Sequence, residues 1–107
     1  MTQVDFDGTG QKFHSLALFR RSGGEMAQEF VVFRRKKDGF EIHVLIPAMT
    51  VGRLSVIWRF GPGTAQEWDS GKKTSIPHDS LVVETMEAGS QQYYLSGGKF
   101  RFVQTSD

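Results

Sequence analysis

The sequence predicts an all-β fold: an antiparallel sandwich or closed barrel of about seven to eight strands, with little or no helix. Three observations carry that expectation. Apolar residues recur with period two, the repeat of a strand that turns one face toward a core. Turn-forming residues recur roughly every eight to twelve positions, the spacing of antiparallel sandwiches and barrels. No window of helical length carries a glycine-free i, i+3, i+4, i+7 stripe.

Residues 1–11 are polar and slightly acidic, and read as a flexible N-terminal segment. The first strand is expected at 12–20, ending before the turn signal Ser22-Gly23-Gly24. The stretch GEMAQEFVV at 24–32 comes nearest to a helix but reads equally as the bottom of a strand at 28–36. Asp38-Gly39 then turns the chain, since both residues accept the positive φ of a type I′ hairpin. In the next strand, 40–46, Phe40, Ile42, Val44 and Ile46 alternate with Glu41, His43 and Leu45, and Pro47 closes it. In 53–60, Leu54, Val56, Trp58 and Phe60 alternate with Ser55, Ile57 and Arg59. In both strands the aromatic-rich set is the expected core face. Residues 61–73 (GPGTAQEWDSGKK) form the longest loop, of a length that often carries binding residues. A weak strand at 74–76 and strands at 80–86, 92–96 and 99–104 complete the set, the last two joined by a hairpin at Gly97-Gly98. At 107 residues the chain has the length of a single β domain.

Composition narrows the chemistry. Hydrophobic residues make up 38% and charged residues 23%, a globular balance. No cysteine is present, which excludes disulfides, thiolate metal sites and cysteine nucleophiles. No asparagine is present, so there is no N-glycosylation acceptor. The start lacks the basic and apolar regions of a signal peptide, and no apolar run approaches a membrane span. A protein made in a cytoplasm, and kept there or assembled into a particle, is expected, with no membrane partner.

No motif supplies a catalytic or cofactor site. In DFDGTG, Asp5, Asp7, Thr9 and Gly10 fit the first half of a calcium loop, but its twelfth position, a glutamate in such loops, is Leu16. GKKTS at 71–75 lacks the upstream glycine of a phosphate loop, where Gln66 stands, and Pro77 follows instead of a helix. His14, His43 and His78 have no zinc spacing, although Glu41 and His43 share one side of a strand and His14 could join them. No serine sits in a nucleophile elbow, and of the acids only Glu84 lies in an apolar run. No enzyme, cofactor or metal is expected.

Three features rise above this background. Arg34, Arg35, Lys36 and Lys37 load one hairpin tip with positive charge, more than Asp38 and Glu41 can neutralise. Arg34 and Lys36 share one face and Arg35 and Lys37 the other. Such a tip suits phosphate, an acidic protein surface or protection of a sheet edge. Aromatic and basic residues also interleave: Phe19, Phe33, Trp58, Phe60, Phe100 and Phe102 each lie beside or near an arginine or lysine, such as Arg59. Finally, Trp68, Tyr93 and Tyr94 exceed what one core can bury, and FVVF at 30–33 and LVV at 81–83 are apolar on both faces. With no helix to cover an outer face, a neighbouring chain is the expected cover.

The expected function is that of a non-enzymatic structural or assembly protein. It packs through its sheet surfaces against copies of itself or a larger partner, as capsid, decoration and tail proteins of viruses and phages do. The alternative is an OB-like barrel that binds single-stranded nucleic acid. Arg34–Lys37, Arg53 and Arg59 would meet phosphates, and Phe33, Trp58 or Trp68 would stack on bases.

Overall fold

A computed structural model describes residues 2–50, 55–85 and 89–106. Ten strands form: β1 (Thr2–Val4), β2 (Phe13–Ser22), β3 (Glu25–Lys36), β4 (Gly39–Thr50), β5 (Ser55–Phe60), β6 (Gly63–Gln66), β7 (Lys73–Ile76), β8 (Ser80–Thr85), β9 (Gly89–Ser96) and β10 (Lys99–Ser106). They build three antiparallel sheets, in the orders β1-β2-β3-β4, β10-β9-β8-β5 and β6-β7. The two four-stranded sheets pack face to face as a sandwich. Among the described residues each keeps two edge strands, so they close no barrel.

The core lies between these sheets and follows from strand parity. Phe13 from β2, Phe30 and Val32 from β3 and Leu45 from β4 meet Ile57, Leu81, Val83, Tyr93, Leu95 and Phe100 from the second sheet. At one end Phe6, Phe13 and Phe100 make three mutual edge-to-face contacts, with ring centroids 5.0–5.8 Å apart. Edge-to-face geometry sets the positive rim of one ring against the negative face of the next.

The N-terminal segment departs from expectation. Residues 1–11 supply β1 and two core side chains, Val4 and Phe6, each almost fully buried. Phe6 is a lone aromatic in an acidic stretch, and burying its ring outweighs the cost of ordering the chain around it. Local bonds fix that chain. The Gly10 N–H donates to Asp5 Oδ2 (3.0 Å), and the Thr9 N–H and hydroxyl both donate to Asp7 Oδ1 (3.2 and 2.8 Å). The Asp5 N–H donates to Asp79 Oδ2 and the Asp79 N–H to the Asp5 carbonyl, both at 3.1 Å. Gly8, at φ +73°, lies under the His78 ring; a Cβ there would fall 2.4 Å from His78 Cε1.

Three further differences bear on function. The expected loop at 61–73 contains β6, which pairs with β7 as a small hairpin. β4 continues past Pro47 to Thr50, because an edge strand need not donate at every position. The period-two reading of two strands also has the wrong sign. On β5, Ile57 enters the core while Val56 and Phe60 are half exposed. On β4, Phe40, Ile42 and Val44 point away from the core, and Glu41 and His43 point toward it. Register shifts at Phe30/Val31 and Gln28/Phe30 mark bulges, and the first places Leu45 and Ile46 together against the core.

Candidate interaction surface

The inward polar half of β4 is held by ion pairs that no local pattern announces. Arg34 on β3 lies opposite Glu41 in the β3–β4 ladder. Its Nε donates to Glu41 Oε2 at 2.7 Å, and its Nη1 to Asp7 Oδ2 at 2.6 Å. The guanidinium carbon sits 4.3 Å from the centroid of the Phe13 ring, a cation–π contact. Glu41 Oε1 also has Lys36 Nζ at 3.3 Å and His43 Nε2 at 3.5 Å. The Arg34, Glu41 and Asp7 side chains are only 14%, 20% and 22% exposed, so these charges are largely desolvated and need one another. Burial pushes the Asp7 carboxyl up, but the hydrogen bonds from Arg34 and Thr9 outweigh it and hold the carboxyl at about 2. Glu41 is lowered in the same way, burial being overcome by hydrogen bonds from Arg34 and Lys36.

With the polar half of β4 turned in, its apolar half is turned out. Phe40, Ile42 and Val44 are 65%, 64% and 52% exposed, and Leu18 on β2 is 42% exposed. The registers place all four on the outer face of the first sheet, with Leu16, Val31 and Phe33 between them. His14 stacks on Phe33, ring centroids 5.4 Å apart, so it lies on the face opposite Glu41 and His43 and does not join them. The result is a contiguous apolar sheet face bordered by Arg35 at one end of β3 and Glu29 toward the other. Patches of this kind on soluble proteins mark interaction sites.

The basic tip divides. Arg34 is committed to the inner ion pairs, and Lys36 to Glu41 at its more exposed end. Arg35 and Lys37 stay exposed, and the Arg35 carbonyl accepts a 2.6 Å hydrogen bond from Gln11 Nε2. Gln11, Lys36, Lys37, Asp38, Gly39 and Phe40 line an open hollow of about 410 Å³ beside the tip.

The remaining expected residues do not gather there. Arg59 is exposed on β5, 3.4 Å from Asp79. Arg53 lies outside the described residues. Trp68 is half exposed in the turn after β6, and its backbone N–H donates to the Gln104 carbonyl (3.0 Å). Tyr93 is buried in the core, where burial pushes its hydroxyl up to about 12, and it donates to Gln91 Oε1 (3.0 Å). Tyr94 faces the other way and packs with Val103, Ala65 and Ile76 beneath the β6–β7 hairpin. The adjacent tyrosines therefore need no neighbouring chain: two cores within one chain take one each. Phe102 shares the inward face with Phe100 yet is half exposed, because β10 is a sheet edge.

Sequence reasoning found the two-sided β3 but missed that Phe40, Ile42 and Val44 of β4 extend its apolar outer face. The signal on β3 was present, since Phe33 and Val31 alternate with core residues Phe30 and Val32 and so require cover on both sides of that strand. Among the described residues, no group of three or more histidines or carboxylates is placed to hold a metal ion. No described helix is long and apolar enough to cross a membrane. No protein-family model, curated protein or solved structure matches the chain.

Proposed function

We propose that this protein is a non-enzymatic structural component that assembles through its sheet surfaces with copies of itself or a larger partner. One observation carries the reading: β4 turns its polar residues inward and its apolar residues outward. A strand facing water gains nothing from that polarity, because ion pairs are largely desolvated inside while Phe40 and Ile42 stay bare outside. The arrangement is favourable when something covers the outer face. The particle of a virus or phage is the setting we propose, on the likeness of a small, cysteine-free β sandwich to capsid, decoration and tail proteins.

A second reading has its own support. Arg35 and Lys37 stay exposed at a tip beside an open hollow that Lys36, paired with Glu41, also lines, an arrangement able to meet phosphates. Arg34 is unavailable to that role, which leaves the tip weaker than its sequence implies.

Light scattering after size-exclusion chromatography, at low and high salt and with or without a mixed-sequence single-stranded oligonucleotide, separates the two. Assembly gives a mass above 12.0 kDa that rises with concentration, tolerates salt and ignores the oligonucleotide. A monomer that takes up the oligonucleotide only at low salt would replace it with the second reading.

A further inference from the structure

We propose that the occupant of the first sheet's outer face is a second copy of the same chain, packed face to face about a two-fold axis that runs its strands antiparallel to those of the first. The inference rests on the assembly reading and specifies its surface and orientation.

The argument begins with β3, whose outward residues are Glu29, Val31, Phe33 and Arg35 in order. Arg35 and Glu29 are six residues apart on one face, roughly 20 Å along a strand. Neither makes an ion pair among the described residues. The row is thus positive at one end, apolar in the middle and negative at the other. Two such rows stacked in the same direction would set Arg35 on Arg35 and Glu29 on Glu29. Stacked in opposite directions, each Arg35 meets the other copy's Glu29, while Val31 and Phe33 exchange places across the axis. A two-fold contact has that reciprocal form: i touches j and j touches i.

The apolar centre is large enough. Phe40, Ile42, Val44 and Leu18 leave on the order of 400 Å² bare, given their exposures and the area such side chains carry. An apolar centre within a polar, charged rim is the make-up of a specific interface, which takes about 800 Å² from each partner. Sheets packed in this way cross at about 30° and interdigitate their side chains, giving the outer face of β4 the cover it lacks.

The test uses the full chain, with sedimentation followed over a dilution series. Ile42→Lys should weaken self-association by about a hundredfold or more, with the β-sheet circular dichroism unchanged, because Ile42 is not in the core. Glu29→Arg and Arg35→Glu should each weaken it by about tenfold, and the double exchange should restore it to within about threefold of the parent. Recovery in the double exchange supports the antiparallel contact, since neither a different surface nor a different occupant would reverse the loss. Association that survives Ile42→Lys, or a double exchange no better than the singles, overturns this contact while leaving assembly standing. A parent chain that stays monomeric at every concentration overturns both.

Discussion

The outer face of the second sheet carries Tyr94 and Val103 beneath the β6–β7 hairpin, whereas that of the first carries Phe40, Ile42 and Val44 with no described strand above them. Both sheets contain strands that are apolar on two sides. In the second, the chain covers the β9–β10 end itself: Ala65 and Ile76 close over Val103, and the Trp68 N–H ties the following turn to β10, while Val56 and Phe60 on β5 stay half exposed. Among the described residues the first sheet has no equivalent cover, and its apolar residues are the more exposed: Phe40 and Ile42 at 65% and 64%, against 48% for Val56 and Phe60. The difference teaches that a two-sided strand does not by itself imply a partner. What implies one is a two-sided strand that the chain leaves bare.

The same change at paired sites tests this most directly. Val103→Asp would place a carboxylate where only 7% of the residue is exposed, beneath the hairpin, and should cost about 3 kcal/mol or more. Val44→Asp, at a residue 52% exposed, should cost under about 1 kcal/mol when measured in protein dilute enough to be monomeric. Urea unfolding measures both. Equal costs would mean that Val44 is covered within the monomer, and the contrast between the faces would collapse.

A smaller effect probes what turns β4 over. Arg34→Ala leaves Asp7 and Glu41 without their shared cation and removes the contact with Phe13. It should cost about 2–3 kcal/mol, less than a fully buried pair because solvent still reaches these groups. Lys36→Ala, at a side chain 55% exposed, should cost no more than about 0.5 kcal/mol. If urea midpoints show the two variants equally stable, the inner ion pairs do not hold the strand as described.

These contrasts also show what the sequence could disclose. The alternation in FEIHV was legible, and so was the hairpin at Asp38-Gly39, because both depend on neighbours in the chain. Which half of the alternation faces inward was not. Glu41 can point inward because Arg34 meets it there, and Arg34 is itself held by Asp7, 27 positions earlier in the chain. The bulge that brings Leu45 to the core is likewise set by pairing with β3. Of the β6–β7 hairpin only the second strand was legible, as the weak strand at 74–76; β6 was hidden because a strand of four residues carries too few inward side chains to display a period. Phe6 was readable in principle, as the one large apolar residue in its acidic stretch. The basic tip was visible as a run of charge, but only the fold separates the committed Arg34 from the exposed Arg35 and Lys37.

The gentlest lever on the comparison is pH, through the inner ion pairs that free the apolar half of β4 to face outward. The Asp7 carboxyl is held at about 2 in the folded chain, against an ordinary value of 3.8. A depressed folded pKa means that the unfolded chain binds the proton more readily between those values. The stabilisation is therefore fully present above about pH 4 and is lost as pH falls through about 2. Because Asp7 keeps 22% of its side chain in solvent, the loss should be on the order of 1–2 kcal/mol, and the lowered Glu41 adds in the same direction. Urea midpoints between about pH 5 and pH 2 should fall for the parent, and Asp7→Asn should flatten part of that fall while lowering the neutral plateau. A parent profile flat across that range would separate the inner ion pairs from the polarity of β4. The outward turn of Phe40, Ile42 and Val44 would then have to be intrinsic to β4 and its bulges, and would no longer count as the counterpart of charges buried beneath it.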